Sequence, residues 1–324
     1  MTRTPRLFPL CMFLMLSPVA VAARWSEPEI AGIVAHGALA ETSGMAASRA
    51  HPGDWWTIND SGNGAQLQLM DAQGRHRGSV DVSGAENRDW EDLAAFEFEG
   101  RPMLLVADTG DNGGIRSELQ LHAIEEPAVT GRPARVAWTL RFAWPDGPRD
   151  CEAIAVDAAR GEVLLLSKKR VPPELFRLPL RPPADGGVLV AERLGTLAGV
   201  AQPDADDLAK NPVYGRYRAQ ITSAALSPNG RVLAVLSYRS LHFLVRERGA
   251  DWTASLAAPV STLVLPWVPQ AEAVAFAPDG LSLMIGSEQL PSPLLRYRVE
   301  TGPGAGIPGS PGSREAGAAS PVAH

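Results

Sequence analysis

Large apolar residues in the middle of the chain come in short runs, such as "DWWTIND", "PMLLVAD", "EVLLLSK" and "RVLAVLSY", each cut off by Gly, Pro, Asn or Asp. Runs of that length, rich in Val, Leu, Ile and Trp, are the pattern of half-buried or buried strands. Helical spacing of apolar positions is almost absent, so the chain is predicted to be all-β.

The runs recur in a fixed order. "ETSGMAAS" from Glu41, "EDLAAFEFEG" from Glu91, "EAIAVDAARG" from Glu152, "TSAALSPNG" from Thr222 and "EAVAFAPDG" from Glu272 align as a small-residue strand ending in a turn. Each is followed by a second apolar strand and then a third, for example "AQLQLMD", "ELQLHAI" and "LHFLVRE". A fourth is readable in the first four units, for example "RGSVDVS" and "RVAWTLRFAW". Four antiparallel strands repeated at a spacing of about fifty residues predict a β-propeller, with first strands poor in bulk because they converge on the axis. The fifth unit stops after its third strand. "PEIAGIVAHG", ahead of Glu41, is the expected missing strand and would close the ring with five blades. Six is the alternative, because "AGVAQPDADDLAKNPVYGRYRAQ" follows the third unit; lacking apolar alternation, it reads as a loop across one face.

The ends change the picture of the compartment. "MTRTPR", the apolar "LFPLCMFLMLSPVAVA" and the small residues before Arg24 are the parts of a secretory signal peptide over 1–23, which predicts a periplasmic or secreted protein. The apolar run is short for a membrane span and contains Pro, so no membrane insertion is expected after cleavage. "FPLC" lacks the small residues of a lipoprotein site at Cys11. Residues 301–324 are almost entirely Gly, Pro, Ala and Ser and are expected to be disordered, which leaves 24–300 as the folded domain. A net charge of −6 with no basic block argues against nucleic acid and anionic membranes as partners. The expected species is a monomer. After loss of the leader only Cys151 remains, so no internal disulfide can form. Cys151 reads as a core thiol rather than a nucleophile, because Asp150 and Glu152 flank it.

The candidate chemistry is carboxylate. Strand one starts, and strand two ends, on the same face of each unit. Glu41, Glu91, Glu152, Thr222 and Glu272 should therefore meet Asn59, Asp60, Asp108, Lys168, Tyr238 and Glu288 around the channel mouth. Up to seven like charges at close range require protons, cationic partners or a bound ion. Lys168, with Arg88, Arg149 and Arg239 near it in sequence, can neutralise part of them. Oxygen-only donors with no recurring His or Cys favour Ca²⁺, with Mg²⁺ second, over zinc. "NDSGNG" and "DTGDNGG" occupy equivalent corners and are rich in turn residues, yet they also carry Asp60 and Asp108 to the mouth. No nucleophile elbow is present, and no separate organic cofactor site is expected. Trp55, Trp56, Trp90, Trp138 and Trp144 read as packing residues.

"ETSGMAAS", "NDSG", "DWEDLAAF", "DTGDN" and "RDCEAIAVD" together resemble a group of exported bacterial propellers of unsettled activity, loosely phytase-like and SdiA-regulated-like. The resemblance covers most of residues 41–290. Glu41 before "TSG" also resembles, more distantly, the Glu that opens the first inner strand of gluconolactonase-type and paraoxonase-type propellers. There that residue is a ligand of a central Ca²⁺. Those lactonases are six-bladed and use Asn and Asp where this chain has Glu91, Glu152 and Glu272, and the Asp-rich motif of propeller phytases is absent.

Taken together, these features predict a metal-dependent hydrolase of a small ester, phosphoester or lactone. Glu41, Glu91, Glu152 and Asp108 are the expected metal ligands, Glu272 or Asp60 the general base, and Lys168 the oxyanion partner. The competing expectation is a non-catalytic propeller of the cell envelope that binds a glycan, peptide or protein, its metal structural or absent.

Overall fold

The computed structural model describes residues 24–257, 261–266 and 268–300. The expected leader over 1–23 and tail over 301–324 lie outside the described residues. The chain is all-β. After an N-terminal strand β1 (Glu29–Val34), a first unit comprises β2 (Thr42–Ala47), β3 (Asp54–Asn59), β4 (Gln66–Asp71) and β5 (His76–Ser83). A second comprises β6 (Trp90–Phe98), β7 (Arg101–Asp108), β8 (Leu119–Glu125) and β9 (Ala134–Ala143). The third holds β10 (Cys151–Asp157), β11 (Glu162–Ser167), β12 (Glu174–Pro179), the two-residue β13 (Leu189–Val190) and β14 (Glu192–Thr196). The fourth holds β15 (Ile221–Leu226), β16 (Val232–Ser237), β17 (Ser240–Val245) and β18 (Ser261–Val264), and the fifth β19 (Gln270–Phe276), β20 (Ser282–Glu288) and β21 (Ser292–Arg298).

Within every unit consecutive strands pair antiparallel, save that β14 rather than β13 pairs with β12, and β1 completes the last unit by pairing with β21. The N-terminal segment therefore supplies the strand that the fifth unit lacks. The first two units are joined edge to edge by a short parallel pairing of β5 with β9, and β13 also lies parallel to β9. Only β14 of the expected outer strand "GVLVAERLG" pairs within its own unit. The insert after it carries a short helix, α1 (Ala205–Lys210), capped by Asp204 and Asp207. Asx-type capping of one helical turn leaves no apolar periodicity in the sequence, which is why the insert reads as plain loop there. A second helix, α2 (Trp252–Leu256), packs Trp252 between the third and fourth units. Among the described residues no helix is long and apolar enough to cross a membrane.

Among the described residues five apolar cores separate the units, and each is built from neighbours. Trp56, Leu67 and Val80 of the first unit meet Trp90, Leu93 and Val106 of the second. Leu121 and Phe142 meet Ile154 and Phe176 across the next gap. The third core joins Leu166 to Val235, and the fourth joins Phe243 to Ile285. The last joins the ends of the chain: Met45, Trp55 and Met70 pack on Ala273, Met284 and Leu294. Each fully buried aromatic or branched side chain contributes about 1.5–3 kcal/mol. The set of faces closes on itself, and β2, β6, β10, β15 and β19 contact one another in the same cyclic order.

All five of these first strands carry a bulge at the same place. Pairing with the second strand skips one residue: Ser43 in β2, Glu91 in β6, Glu152 in β10, Thr222 in β15 and Glu272 in β19. A bulge re-aims the extra side chain out of the sheet plane. Two of the five are hydroxyls that bind the neighbouring unit: Ser43 Oγ donates to Trp90 O at 2.9 Å and Thr222 Oγ1 to Ala271 O at 2.7 Å. The other three are glutamates.

One residue further in, the first strands converge. The position is Gly44, Asp92, Ala153, Ser223 and Ala273 around the ring. Asp92, fully buried, accepts from Leu93 N at 2.9 Å, Ile154 N at 2.8 Å, Ala224 N at 3.2 Å and Ser223 Oγ at 3.0 Å. Ser223 Oγ accepts in turn from Val274 N at 3.1 Å. Amides of four units thus converge on one carboxylate and one hydroxyl. Gly44 makes room for them, since a Cβ there would lie 2.6 Å from Leu93 N. This plug divides the axis. On one side is the mouth lined by the bulge residues. On the other is a cavity of about 320 Å³ with Met45, Ala47, Leu93, Ala224, Ala275 and Phe276 in its wall.

Candidate functional site: an acidic mouth

The bulges deliver Glu91, Glu152 and Glu272 to the mouth, all buried. The residues that follow the ends of β3, β7, β11 and β16 stand beside them, Asp60, Thr109, Lys168 and Tyr238, with Glu288 at the end of β20. A third tier comes two residues before the bulges: Glu41, Asp89, Asp150, Gln220 and Gln270. Carboxylate oxygens of Asp60, Asp89 and Glu91 lie within 4.8 Å of one another, and so do those of Glu91, Asp150 and Glu152. Glu91 belongs to both groups.

Cations answer only part of this charge. Lys168 Nζ is ion-paired with Glu152 and lies 5.6 Å from the Tyr238 ring centre. Burial works against the Lys168 ammonium, but Glu152 and Glu272 outweigh it and hold its pKa above the ordinary lysine range. Lys169 Nζ is 2.8 Å from Asp150, whose other oxygen accepts from Asp111 N at 2.8 Å. Arg88, Arg149 and Arg239, expected to help, turn elsewhere: to Glu86, to Asp146 and Glu174, and to Asp207.

Asp60, Asp89 and Glu91 have no ion pair among the described residues. Burial, and then Asp60, push Asp89 up to about 6. Burial and the neighbouring Glu152 push Glu91 well above the usual carboxylate range. Glu91 is 5% exposed and accepts no hydrogen bond among the described residues. Such a group is costly unless something occupies the space it faces. Gly110 belongs to the same cradle, because a Cβ there would overlap Glu91 Oε1 and Asp89 Oδ2. Gly110→Ala is accordingly expected to abolish cation-dependent stabilisation without removing any carboxylate, as read by melting with and without Ca²⁺.

Across the mouth, Tyr238 OH donates to Glu272 Oε1 at 2.6 Å, and Gln270 Nε2 donates to Glu288 Oε2 at 2.9 Å. Burial and then Glu272 raise Glu288 to about 10.

Of the residues expected from sequence, Glu91, Glu152, Glu272, Asp60 and Lys168 come together. Two expected ligands do not. Glu41 holds the same position as Asp89 and Asp150, two residues before the bulge, but it is exposed and takes its hydrogen bond from Asn63 Nδ2. The residue equivalent to Glu91 in the first unit is Ser43. A shift of two keeps the in-and-out alternation intact, so the repeat pattern could not expose it. Asp108 lies one residue short of the mouth position, which Thr109 takes. Its side chain emerges on the opposite side of the strand and pairs with Arg116 at 2.7 Å. Asp89 and Asp150 join the group as carboxylates that the repeated glutamates do not signal; their only mark in the sequence is the "RD" that precedes the glutamate in "NRDWED" and "PRDCEA".

The aromatic and thiol expectations can be placed as well. Trp90 is fully buried with Nε1 donating to Glu86 O at 3.1 Å, so it packs rather than lines the mouth. Cys151 is buried, and burial pushes its thiol up to about 12.

The folded-state shifts set a pH dependence. A carboxyl with a raised pKa keeps a proton that the unfolded chain has already released. Stability of the metal-free protein is therefore expected to fall as pH rises from the ordinary Glu range, about 4.3, through the Asp89 value and on toward the Glu288 value of about 10. Saturating Ca²⁺ is expected to flatten the part of that fall due to Asp89 and Glu91, as read by melting temperature across the pH range.

No protein-family model matches the chain, and no curated protein matches its sequence.

Proposed function

We propose that the chain is a five-bladed β-propeller, exported to the periplasm or beyond, that holds a divalent cation at its channel mouth and hydrolyses a small ester, phosphoester or lactone there. Five cores shared pairwise between neighbouring units and closed through β1 support the blade count. One observation carries the site: Glu91, buried and unpartnered, faces four other carboxylates at ligand distance.

The donor set fits a hard cation, Ca²⁺ before Mg²⁺, because every candidate is a carboxylate oxygen. Asp60, Asp89 and Glu91 would hold it, since Lys168 and Lys169 already neutralise Glu152 and Asp150. A cation bound there would supply Lewis-acid polarisation of the scissile group. In this reading Glu272, held by Tyr238, takes a proton from water, and Lys168 stabilises an oxyanion in the same mouth. The distant likeness to lactonase-type calcium propellers is carried by Glu41, whose place at the bulge Ser43 takes, and so adds nothing to the reaction class.

The second reading, a binding module with a structural ion, draws support from the insert after the third unit. Its Asp207 is tied to Arg239, next to the mouth residue Tyr238, and to Arg218 at 2.5 Å, so the insert borders the mouth and could shape a recognition surface. Assaying acetate, lactone and phosphate esters with Ca²⁺ and then with EDTA separates the two. Turnover that disappears with the chelator supports the hydrolase; Ca²⁺-dependent melting without turnover supports the binding module.

A further inference from the structure

The plug at Asp92 leaves a second compartment on the axis, on the side away from the acidic mouth. Its volume is about 320 Å³, the size of a small-molecule site. The void exists because the first strands carry alanine where they line it, as at Ala47, Ala95 and Ala225. Met45, Leu93 and Phe276 make its wall apolar. Backbone groups face it too, because β2, β6, β10, β15 and β19 pair along one edge only among the described residues. Just past the ends of β2, β15 and β19, the amides of Ser48, Ser227 and Ala277 donate away from the axis, to Asp54 O at 3.0 Å, Val232 O at 2.8 Å and Ser282 O at 2.9 Å. Strand alternation therefore turns the amides of Ala47, Leu226 and Phe276 inward, at the outer level of the void. Donors that face such a space need an acceptor there, from water or from a ligand.

Arg49 is the one charged residue among the described residues that line the void. It stands at the same outer level, two residues past the end of β2. Its backbone is fixed, since Arg49 N and Ala50 N donate to Glu126 Oε1 at 3.0 and 3.1 Å, and Ser48 Oγ and Trp56 Nε1 donate to the same oxygen. Its guanidinium is held only by Glu97 among the described residues, at 3.1 Å, and both side chains are exposed. An exposed pair of that kind is weak, so the guanidinium can leave Glu97 for another anion at little cost. A cationic ligand would meet Arg49 and find no carboxylate in the wall.

We propose that this axial compartment binds a small organic acid with an apolar body, of the kind of a medium-chain carboxylate. The apolar part lies in the void against Met45, Leu93 and the alanines, with its end toward the plug. The carboxylate stays at the outer level, where it accepts from the inward amides of Ala47, Leu226 and Phe276 and takes the place of Glu97 on Arg49. The site is independent of the cation and of any hydrolysis at the mouth, because Asp92 and Ser223 close the axis between them.

Calorimetric titration with octanoate, and with octanol as its neutral counterpart, tests this in the presence of EDTA, so that no cation at the mouth can hold the acid. The methyl NMR signal of Met45 reports where the probe sits. Octanoate should bind saturably, more tightly than octanol, and shift that signal. Arg49→Gln should weaken octanoate by roughly two- to fivefold and leave octanol unchanged, while Glu97→Gln, which frees the guanidinium, should strengthen octanoate by a similar factor. Joint Ala95→Leu and Ala225→Leu substitution fills the void and should abolish binding of both probes. If that protein fails to fold, the Arg49 and Glu97 variants decide alone, since both side chains are exposed. No binding of octanoate, binding that leaves the Met45 signal in place, or affinity indifferent to both Arg49→Gln and Glu97→Gln would overturn the site.

Discussion

Replacing Asp92 by Ala is expected to cost at least about 4 kcal/mol of folding stability, enough to unfold many domains of this size at moderate temperature. The side chain is fully buried and accepts from three backbone amides and one hydroxyl contributed by three units. Truncation leaves those donors without partners, each at a cost of about 1–3 kcal/mol, and removes the link on which Ser223 and Val274 depend. Asp92→Asn is the sharper control. It keeps the volume but turns an amide NH₂ toward amide N–H donors, so a loss of about 2 kcal/mol or more is expected even without a cavity. Urea denaturation reads both effects as a lower midpoint at unchanged slope. A loss below about 1 kcal/mol for the Ala variant would mean that the first strands are held together by their apolar faces and not by this plug.

The second large effect lies at the mouth and has the opposite sign. Glu91→Gln is expected to stabilise the metal-free protein at about pH 8 by roughly 1–3 kcal/mol, because a neutral isostere ends the conflict with Asp60, Asp89 and Glu152. The same substitution should abolish stabilisation by Ca²⁺, which for an intact site is about 2.7 kcal/mol at a hundredfold excess over Kd. Gain without the ion and loss with it form a signature that a purely structural glutamate does not give. Melting curves of both proteins, with Ca²⁺ and with EDTA, read it directly. A variant that is less stable in both conditions would contradict the assignment.

Much of this architecture is written in the alternation of the chain. The small residues "SGMAA", "EDLAA", "EAIAV", "TSAAL" and "EAVAF" mark the first strands because large side chains cannot converge on an axis, and the lengths of the runs fix four strands per unit. The lone strand "EIAGIV" is readable as a closing strand because the last unit is one short. The position of each carboxylate along its strand is less legible. A bulge adds one residue without disturbing the apolar pattern around it, so sequence alone placed Glu41 with Glu91 when Ser43 stands there. At Asp108 and Thr109 a one-residue difference decides between the mouth and a pairing with Arg116. The axial role of Asp92 was likewise hidden behind Glu91 in "DWED". An acidic residue in an apolar strand marks a costly position, but only the convergence of amides from other units shows how that cost is met.

Calorimetric titration of Ca²⁺ into chelator-stripped protein, beside Glu91→Gln, addresses the cation site most directly. A single saturable binding event in the unsubstituted protein, absent from the variant and accompanied by a higher melting temperature, is the result expected of the site described above. No heat of binding and a melting temperature indifferent to Ca²⁺ and Mg²⁺ alike would contradict it.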